Sequence, residues 1–281
     1  MIKEQEELTL QTPESFWDRF RIDVRVRQEV TAINPTEENR QPFTHWIVGK
    51  VYTETYDKLL LAPGAKPTVP ALSGVSSERV FTLRTVEDTL RIRRFVEDQK
   101  PKSAVLAGGG FIGLEMAENL TEMGVSVTIV QRPNQLLAPL DADMASFVHA
   151  EMRRHGVTLR LGETVTGFRQ DGDSVLTLLE GSEPLHSDMV LLAIGVTPDT
   201  HLAKDVGLEL GIRGSIAVNE RMETSVPDIY AVGDAVEITH FVTGQKALIS
   251  LAGPATSRDA LPLTISVAAI ATFTALRVRL F

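Results

Sequence analysis

The chain has 281 residues, 43% of them hydrophobic and 23% charged, a composition typical of a globular protein of about two domains. With 28 basic against 37 acidic residues the formal net charge is −9, which argues against a nucleic-acid-binding surface because phosphate contacts need a basic excess. The chain has no cysteine, so its own residues cannot form a disulfide, a thiolate metal site or a cysteine nucleophile.

The N-terminal region mixes short helical and extended patterns. Residues 12–20 carry the capping signals of a short helix, and residues 22–33 alternate apolar and charged side chains as a half-exposed strand does. Apolar residues 59–62 predict a buried strand that runs straight into a proline–glycine turn. Residues 85–99 predict a helix with a solvated arginine face.

After residue 102 the pattern alternates between strand and helix. Strands are predicted over 103–108, 125–130 and 157–162, helices over 111–124 and 144–156, and a meander of short strands over 164–195. A βαβ unit joined to an antiparallel meander is typical of a nucleotide-binding α/β domain. Residues 215–234 add two further short strands.

A glycine-rich turn lies between the first strand and the first helix of this βαβ unit. Its residues are Gly108, Gly109, Gly110, Phe111, Ile112 and Gly113. The first glycine permits a tight turn, the third lets the backbone approach a pyrophosphate, and the last lets helix and strand pack closely. The helix N-terminus then offers N–H groups to the phosphates, so the turn predicts dinucleotide binding.

The end of the following strand leaves the choice of dinucleotide open. At the position where such turns place an acidic residue for the ribose 2′-hydroxyl, the chain has Gln131 followed by Arg132. Gln131 can donate to a hydroxyl, whereas Arg132 can pair with a 2′-phosphate or remain a solvated loop residue. Both NAD and NADP are compatible with this pair.

Four stretches together resemble the flavoprotein pyridine nucleotide–disulfide oxidoreductases, in particular the CoA-disulfide reductase and NADH oxidase branch. They read LLLAPGAKP, GGGFIGLEMAENL, LLAIGVTPDT and TSVPDIYAVGDAVE. The resemblance implies a Rossmann-like NAD(P)-binding domain, a parallel sheet plus an antiparallel meander, inserted in an incomplete FAD-binding domain. The implied divisions are 1–97 and 223–254 for the FAD-binding domain, 98–222 for the NAD(P)-binding domain and 255–281 for an atypical tail.

The resemblance also implies roles for residues near the flavin. Asp234 matches the aspartate that accepts hydrogen bonds from the ribityl chain, and Gly233 allows the close backbone approach. Ala62 and Gly64 match the turn beside the flavin dinucleotide.

Other positions match the nicotinamide side of the family's site. Gly195 and Pro198 match the turn that flanks the nicotinamide nucleotide, and Glu115 matches a glutamate near the nicotinamide and flavin rings. The implied reaction passes a hydride from NAD(P)H to FAD and then reduces a disulfide or oxygen. As an alternative, Glu115 is simply a carboxylate favoured near a helix N-terminus.

The sequence departs from the family at both ends. The glycine motif for the FAD pyrophosphate and the redox cysteine that follows it are missing, and so is the family's dimerisation domain. The start resembles a point just after the cysteine segment, which suggests internal initiation at Met1. These departures predict a truncated chain with impaired activity, which binds FAD only if its site is completed; the alternative is a non-catalytic NAD(P)-binding fragment.

The last residues allow two interpretations. Residues 256–281 are compatible with a single-base deletion after Pro254, since a neighbouring reading frame can encode the family's continuation. The rival interpretation is a membrane anchor over the uncharged residues 260–276, which barely reach the length of a span. The charged N-terminus is unlike a signal peptide and the histidines lack metal-ligand spacing, so we expect a cytoplasmic protein without a metal.

Overall fold

The chain divides into two units: residues 66–196 form one, and the described residues before and after this segment form the other. The structure is a computed structural model that describes residues 11–34, 41–47, 50–240 and 242–250. In chain order its elements are α1 (Pro13–Phe20), β1 (Glu29–Ile33), β2 (Gln41–Ile47), β3 (Lys50–Tyr56), β4 (Leu59–Leu61), β5 (Ala65–Pro67), β6 (Val80–Thr82), α2 (Val86–Gln99), β7 (Ser103–Ala107), α3 (Phe111–Glu122), β8 (Ser126–Gln131), α4 (Ala142–Arg154), β9 (Thr158–Leu161), β10 (Val165–Asp171), β11 (Ser174–Leu179), β12 (Ser182–Ser187), β13 (Met189–Leu192), β14 (Val196–Pro198), α5 (His201–Asp205), β15 (Ile229–Ala231), β16 (Ile238–Thr239) and β17 (Lys246–Ala247).

The unit of residues 66–196 is built on a parallel sheet of five strands in the order β6-β13-β7-β8-β9. The predicted strand–turn–helix–strand segment is confirmed as β7, α3 and β8, and the predicted meander as the antiparallel strands β10, β11 and β12. This arrangement is a mixed α/β fold of the Rossmann-like class.

Both faces of this sheet are covered, and each has its own apolar core. Alternate residues of β7 point to opposite faces, as the pleat of a strand requires. Ala104 and Leu106 pack with buried residues of α2 and α3, such as Val96 and Leu120. Val105 and Ala107 pack in a second cluster with residues of the meander, including Val175. The sheet therefore lies between helices and a meander, and it holds the glycine turn on a rigid support.

Asp188 ties the start of β7 to the start of β13. Its Oδ2 accepts hydrogen bonds from the backbone N–H groups of Lys102 (2.7 Å) and Ser103 (2.9 Å). Burial acts to raise the pKa of this carboxyl, but these hydrogen bonds outweigh burial and hold the pKa below its ordinary value. The ionised carboxylate thus accepts hydrogen bonds from N–H groups at the start of β7 that would otherwise lack a partner.

The other unit contains an antiparallel sheet in the order β1-β2-β3 and a parallel pair of β4 with β15. Its apolar core gathers residues of β1, β4, α5 and β15, among them Ile33, Leu61, Ala203 and Ile229. The predicted helix at 12–20 is confirmed as α1, whose N-cap Thr12 accepts from the Ser15 backbone N–H at 3.3 Å.

Two strand predictions in this unit are wrong over part of their length. The strand expected over 22–33 begins only at Glu29, because Arg27 has a left-handed φ of 57° that interrupts extended backbone. Val26 is accordingly exposed. Of the two strands expected over 215–234, only β15 forms. Ile216 instead makes isolated bridges to Leu210 and Val236, which satisfy its backbone without a continuous ladder.

The unit boundaries do not coincide with the domain boundaries expected from the resemblance. The chain crosses between the units along β5 and β14 rather than near residues 98 and 222. Residues 66–97 lie in the same unit as the glycine turn, and residues 197–222 lie in the other unit. The assignment of these units to particular nucleotides remains a prediction. The atypical tail at 255–281 and the start at Met1 lie outside the described residues.

Candidate functional site

The glycine turn connects the carboxyl end of β7 to the N-terminus of α3. Gly108 continues the sheet, since its N–H donates to the Val130 carbonyl at 2.9 Å. Its φ is +115°, and a Cβ at this position would lie 2.2 Å from the Ala193 carbonyl oxygen. Both the backbone conformation and the available space therefore require glycine at the start of the turn.

The other end of the turn is held just as closely, while its middle is open. A Cβ on Gly113 would lie 2.1 Å from the Gly108 carbonyl oxygen, so the absence of a side chain lets α3 approach β7. A Cβ on Gly110 would meet no heavy atom within 4 Å. Gly110 is the N-cap of α3, and within the described part of the chain no side chain caps it. Uncapped N–H groups beside open space are the features that suit a phosphate.

Gln131, at the end of β8, makes its contacts with the turn itself. Its Oε1 accepts from the Gly109 N–H at 2.9 Å, and its Nε2 donates to the Gln135 carbonyl at 3.2 Å. The Gly109 carbonyl in turn accepts from the Leu137 N–H at 2.9 Å. The neighbouring Arg132 is exposed. The ribose contact expected of Gln131 stays a prediction, since the side chain has protein partners in this structure.

The loop after Gln131 is fastened by a histidine that sequence reasoning missed. The Leu136 N–H donates to Nε2 of His149, on α4, at 3.0 Å. Burial, together with the charge of Arg153, lowers the pKa of His149, which favours the neutral ring that can accept this bond. No sequence signal marks the contact, because it joins a loop to a helix and depends on how the two pack.

Helix α3 presents an exposed edge beside the turn. Phe111 is 53% exposed and Glu115, one helical turn later, is also exposed, whereas Ile112 is partly buried. In the residues that the structure describes, no donor pairs with the Glu115 carboxylate, although its backbone carbonyl accepts from Asn119 Nδ2 at 2.7 Å. Phe111 and Glu115 are thus accessible from the same side of the helix.

Gly195 lies at the same sheet edge as the glycine turn. Strand β13 is the neighbour of β7, with Leu192 opposite Ala107, and the Ala193 N–H donates to the Ala107 carbonyl at 2.7 Å. Gly195 follows two residues later with an exposed position and a φ of 109°. The sequence-predicted residues of this unit therefore gather at one edge, where the strands have their carboxyl ends.

A second edge, in the other unit, gathers the residues expected to contact a flavin. Strands β4 and β15 are parallel, with Leu61 opposite Ala231. Ala62 and Gly64 follow the first strand, and Gly233 and Asp234 follow the second.

Local hydrogen bonds hold the two turns at this second edge. The Val232 N–H donates to the Leu61 carbonyl at 2.9 Å, which extends the pairing into the turns. Gly233 has a φ of 82°, and Asp234 beside it is partly buried. Pro198 is buried, and the N–H of the next residue, Asp199, donates to the Gly64 carbonyl at 3.0 Å.

Neither a metal-binding cluster nor a membrane-spanning helix lies within residues 11–34, 41–47, 50–240 and 242–250. Within these ranges no group of three or more histidine, aspartate or glutamate side chains could hold a metal ion. No helix in the same ranges is both long enough and apolar enough to cross a membrane. The apolar segment 260–276 lies outside them.

The parallel sheet with a glycine turn leading into a helix defines a Rossmann-like α/β protein. The chain belongs to the pyridine nucleotide-disulphide oxidoreductase family, which matches residues 5–256. The family expected from the four sequence stretches is therefore confirmed.

Three known proteins illustrate the similarity. The NADH oxidase of Methanocaldococcus jannaschii is 36% identical over 251 residues, which cover 88% of this chain and 54% of that protein. The coenzyme A disulfide reductase of Staphylococcus aureus is 32% identical over 243 residues, 86% of this chain and 53% of that one. The crystal structure of reduced CoADR-RHD from Bacillus anthracis has a TM-score of 0.86 and 44% identity, and covers 95% of this chain and 47% of its own. The chain thus spans about half the length of the curated relatives it matches.

Proposed function

We propose that this chain carries the dinucleotide-binding part of an FAD-dependent NAD(P)H oxidoreductase of the disulfide-reductase class. The overall reaction is the transfer of a hydride from NAD(P)H to FAD, followed by reduction of a disulfide or of oxygen, with the cytoplasm as the expected compartment. The observation that carries the proposal is the turn at Gly108–Gly113, which leaves open space at Gly110 and an uncapped helix start. Family membership and the names of the relatives support it.

The residues of the turn bind the pyrophosphate of NAD(P)H in this proposal. The backbone N–H groups at the start of α3, from Phe111 and Ile112, donate to the phosphate oxygens, and the positive end of the helix dipole adds to the attraction. Arg132 lies on the side of the adenosine ribose, and Gly195 and Pro198 flank the nicotinamide. Glu115, whose carboxylate has no partner in the described chain, is available to orient the nicotinamide ring.

The second edge binds FAD in this proposal. Asp234 accepts hydrogen bonds from the ribityl hydroxyls, and Gly233, Ala62 and Gly64 keep the backbone close to the cofactor. FAD supplies, when bound, the two-electron acceptor that amino-acid side chains lack. The paired strand ends support this assignment because parallel strands place their following turns at one edge, where nucleotides bind in α/β folds.

A second candidate is an NAD(P)-binding protein that transfers no hydride. The observation that favours it is the absence of cysteine from all 281 residues, because disulfide reduction in this class uses a thiol that these residues do not supply. Oxygen as the acceptor requires no thiol. The two candidates therefore differ in whether the chain retains a flavin that a dinucleotide can reduce.

Flavin retention and reduction distinguish the candidates. The purified chain is incubated with FAD, passed over a gel-filtration column, and then mixed with NADH or NADPH without oxygen. Retained flavin absorbance that bleaches on addition of a dinucleotide supports the oxidoreductase. Dinucleotide binding without flavin retention supports the second candidate, and binding of neither contradicts both.

Two aspartate variants control the flavin measurement. Asp234→Asn should lose flavin while keeping dinucleotide binding, because its carboxylate is the acceptor proposed for the ribityl hydroxyls. Asp205→Asn, which makes the same change at an exposed position at the end of α5, should keep both. Equal flavin retention by the two variants would remove Asp234 from the proposed site.

A further inference from the structure

We infer that Glu237 is a positioning residue for the second edge, where its buried carboxylate helps to hold the turn that carries Asp234. This inference rests on the proposed function and deepens it. Among the residues that the structure describes, Glu237 is the only charged residue that is buried, with 5% exposure. The proposed hydride transfer does not use this carboxylate, so the cost of burying it has another explanation.

The Glu237 carboxylate has a partner for each of its oxygens. Its Oε2 accepts from the Ile212 backbone N–H at 2.9 Å, and its Oε1 lies 3.2 Å from Nζ of Lys246. Gly211 leaves room for this arrangement, because a Cβ at that position would lie 1.7 Å from Oε2. The carboxylate therefore lies directly beside the backbone at the start of the segment 211–216.

Backbone hydrogen bonds hold the other end of the same segment. The Glu237 N–H donates to the Ile216 carbonyl at 3.2 Å, and the Ile216 N–H donates to the Ala235 carbonyl at 2.8 Å. Ile216 is fully buried in the apolar core of this unit. The segment 211–216 is thus held at its start by the side chain of Glu237 and at its end by these backbone bonds.

The turn that carries Asp234 has supports on two sides. It is the 3-10 turn Gly233–Ala235, and the N–H just before it donates to the Leu61 carbonyl of β4 at 2.9 Å. Its last carbonyl is the acceptor for the segment 211–216. Without the side-chain bond of Glu237 the second support loosens, and the turn must then be ordered when a flavin binds, which costs conformational entropy.

A gain in stability does not account for this buried charge. Replacing a buried ion pair by apolar residues of similar volume is often neutral or stabilising, because desolvation offsets the attraction between the charges. A hydrogen bond to a backbone N–H, in contrast, is directional and fixes where a segment lies. The role of Glu237 is therefore to place the turn of Asp234 rather than to add stability.

Three variants of the full chain test this role. Glu237→Met removes both contacts at a similar side-chain length, whereas Glu237→Gln loses the charge but keeps an oxygen acceptor for the Ile212 N–H. Gly211→Ala leaves Glu237 unchanged and displaces its carboxylate, and the φ of −102° at Gly211 lies outside the left-handed region. Glu220→Met, at an exposed position in the same unit, is the matched control.

Four quantities are measured on each variant. Quenching of flavin fluorescence gives the affinity for FAD, and calorimetric titration gives the affinity for NADH. Hydrogen exchange of peptides covering residues 232–237 is measured on the chain without ligand, and urea unfolding gives the stability. A general loss of stability would lower both affinities, whereas a positioning role lowers only the affinity for FAD.

Glu237→Met and Gly211→Ala should weaken FAD binding about 10-fold, the effect of ordering about one residue of backbone on binding, and should accelerate exchange at 232–237. Both should bind NADH like the wild-type chain, because the glycine turn belongs to the other unit. Glu237→Gln should stay within about 3-fold of the wild-type affinity for FAD, because the acceptor for Ile212 remains. Glu220→Met should change none of the four quantities.

Each contrary result overturns a defined part of the inference. Unchanged exchange at 232–237 in Glu237→Met overturns the positioning role, and faster exchange with unchanged FAD affinity overturns its link to the flavin. If Glu237→Gln lost as much affinity as Glu237→Met, the hydrogen bond to Ile212 would not be the contact that matters. If the wild-type chain bound no FAD, the proposed flavin edge would be wrong instead, and the exchange measurement would still decide whether Glu237 holds the turn.

Discussion

Replacing Gly110 with alanine should separate dinucleotide binding from folding. The added Cβ meets no heavy atom within 4 Å, and the φ of −84° at this position is one that alanine adopts freely. The folding cost should be about 1 kcal/mol or less, the difference between glycine and alanine at an N-cap. The methyl group would instead occupy the open space where we place the pyrophosphate.

The binding cost follows from the hydrogen bonds that the methyl group blocks. A phosphate held away from the helix start loses at least one hydrogen bond to a charged group, and each is worth about 1.5–3 kcal/mol. The affinity of Gly110→Ala for NADH should therefore fall about 10- to 100-fold. Calorimetric titration measures this affinity, and urea unfolding measures the stability of the same preparation.

Gly124→Ala provides the control at the other end of α3. Its Cβ also meets no heavy atom within 4 Å, but its φ is +83°, so alanine there should cost about 1–2 kcal/mol of stability. This variant should be the less stable of the two and yet bind NADH like the wild-type chain. If Gly110→Ala bound NADH normally, or if both variants lost affinity equally, the phosphate would not lie at the turn.

Three further predictions concern the supports of the site. Asp188→Asn should lower the stability to urea by about 1–3 kcal/mol at neutral pH, since it weakens the partly buried acceptor of two backbone N–H groups. Because the folded pKa of Asp188 is lowered, the wild-type advantage should disappear as the pH falls below about 4, and an advantage that persists there would contradict this account. Burial lowers the pKa of His149, so the unfolded chain binds protons more strongly, and urea stability should decrease as the pH falls below about 6.5. His149→Gln should flatten this dependence, and a stability that rose on acidification would oppose it. Arg132→Ala should weaken NADPH about 5- to 10-fold more than NADH in titrations at low salt, whereas equal losses would show that Arg132 does not contact the 2′-phosphate.

The elements around the glycine turn could be predicted because their signals are local. Strand β7, the turn and helix α3 are consecutive in the chain, and their glycines and apolar residues specify strand, turn and helix without distant partners. The alternation of Ile22, Val24 and Val26 is misleading, since Arg27 leaves the extended conformation and no described strand pairs with residues 22–28. The antiparallel partners of β1 and the edge position of β6 depend on distant pairing, which a single sequence does not encode locally.

Some residues of the candidate site could likewise be predicted from the sequence, whereas others could not. The glycines at the two edges could be identified from sequence because turns with left-handed φ or close backbone contacts exclude other residues, as Gly108 and Gly233 illustrate. The partner of Gln131 could not, because Gly109 lies 22 positions earlier and the hydrogen bond requires the sheet and loop to be assembled. The same reason applies to His149 and the Leu136 N–H.

A crystal structure of the full chain with bound NADH would show where the pyrophosphate lies. We expect the pyrophosphate to lie over Gly110, with phosphate oxygens within hydrogen-bond distance of the N–H groups at the start of α3. We also expect Gln131 to keep its hydrogen bond to Gly109 in the complex. A dinucleotide bound away from the turn, or no dinucleotide at saturating concentration, would contradict the account.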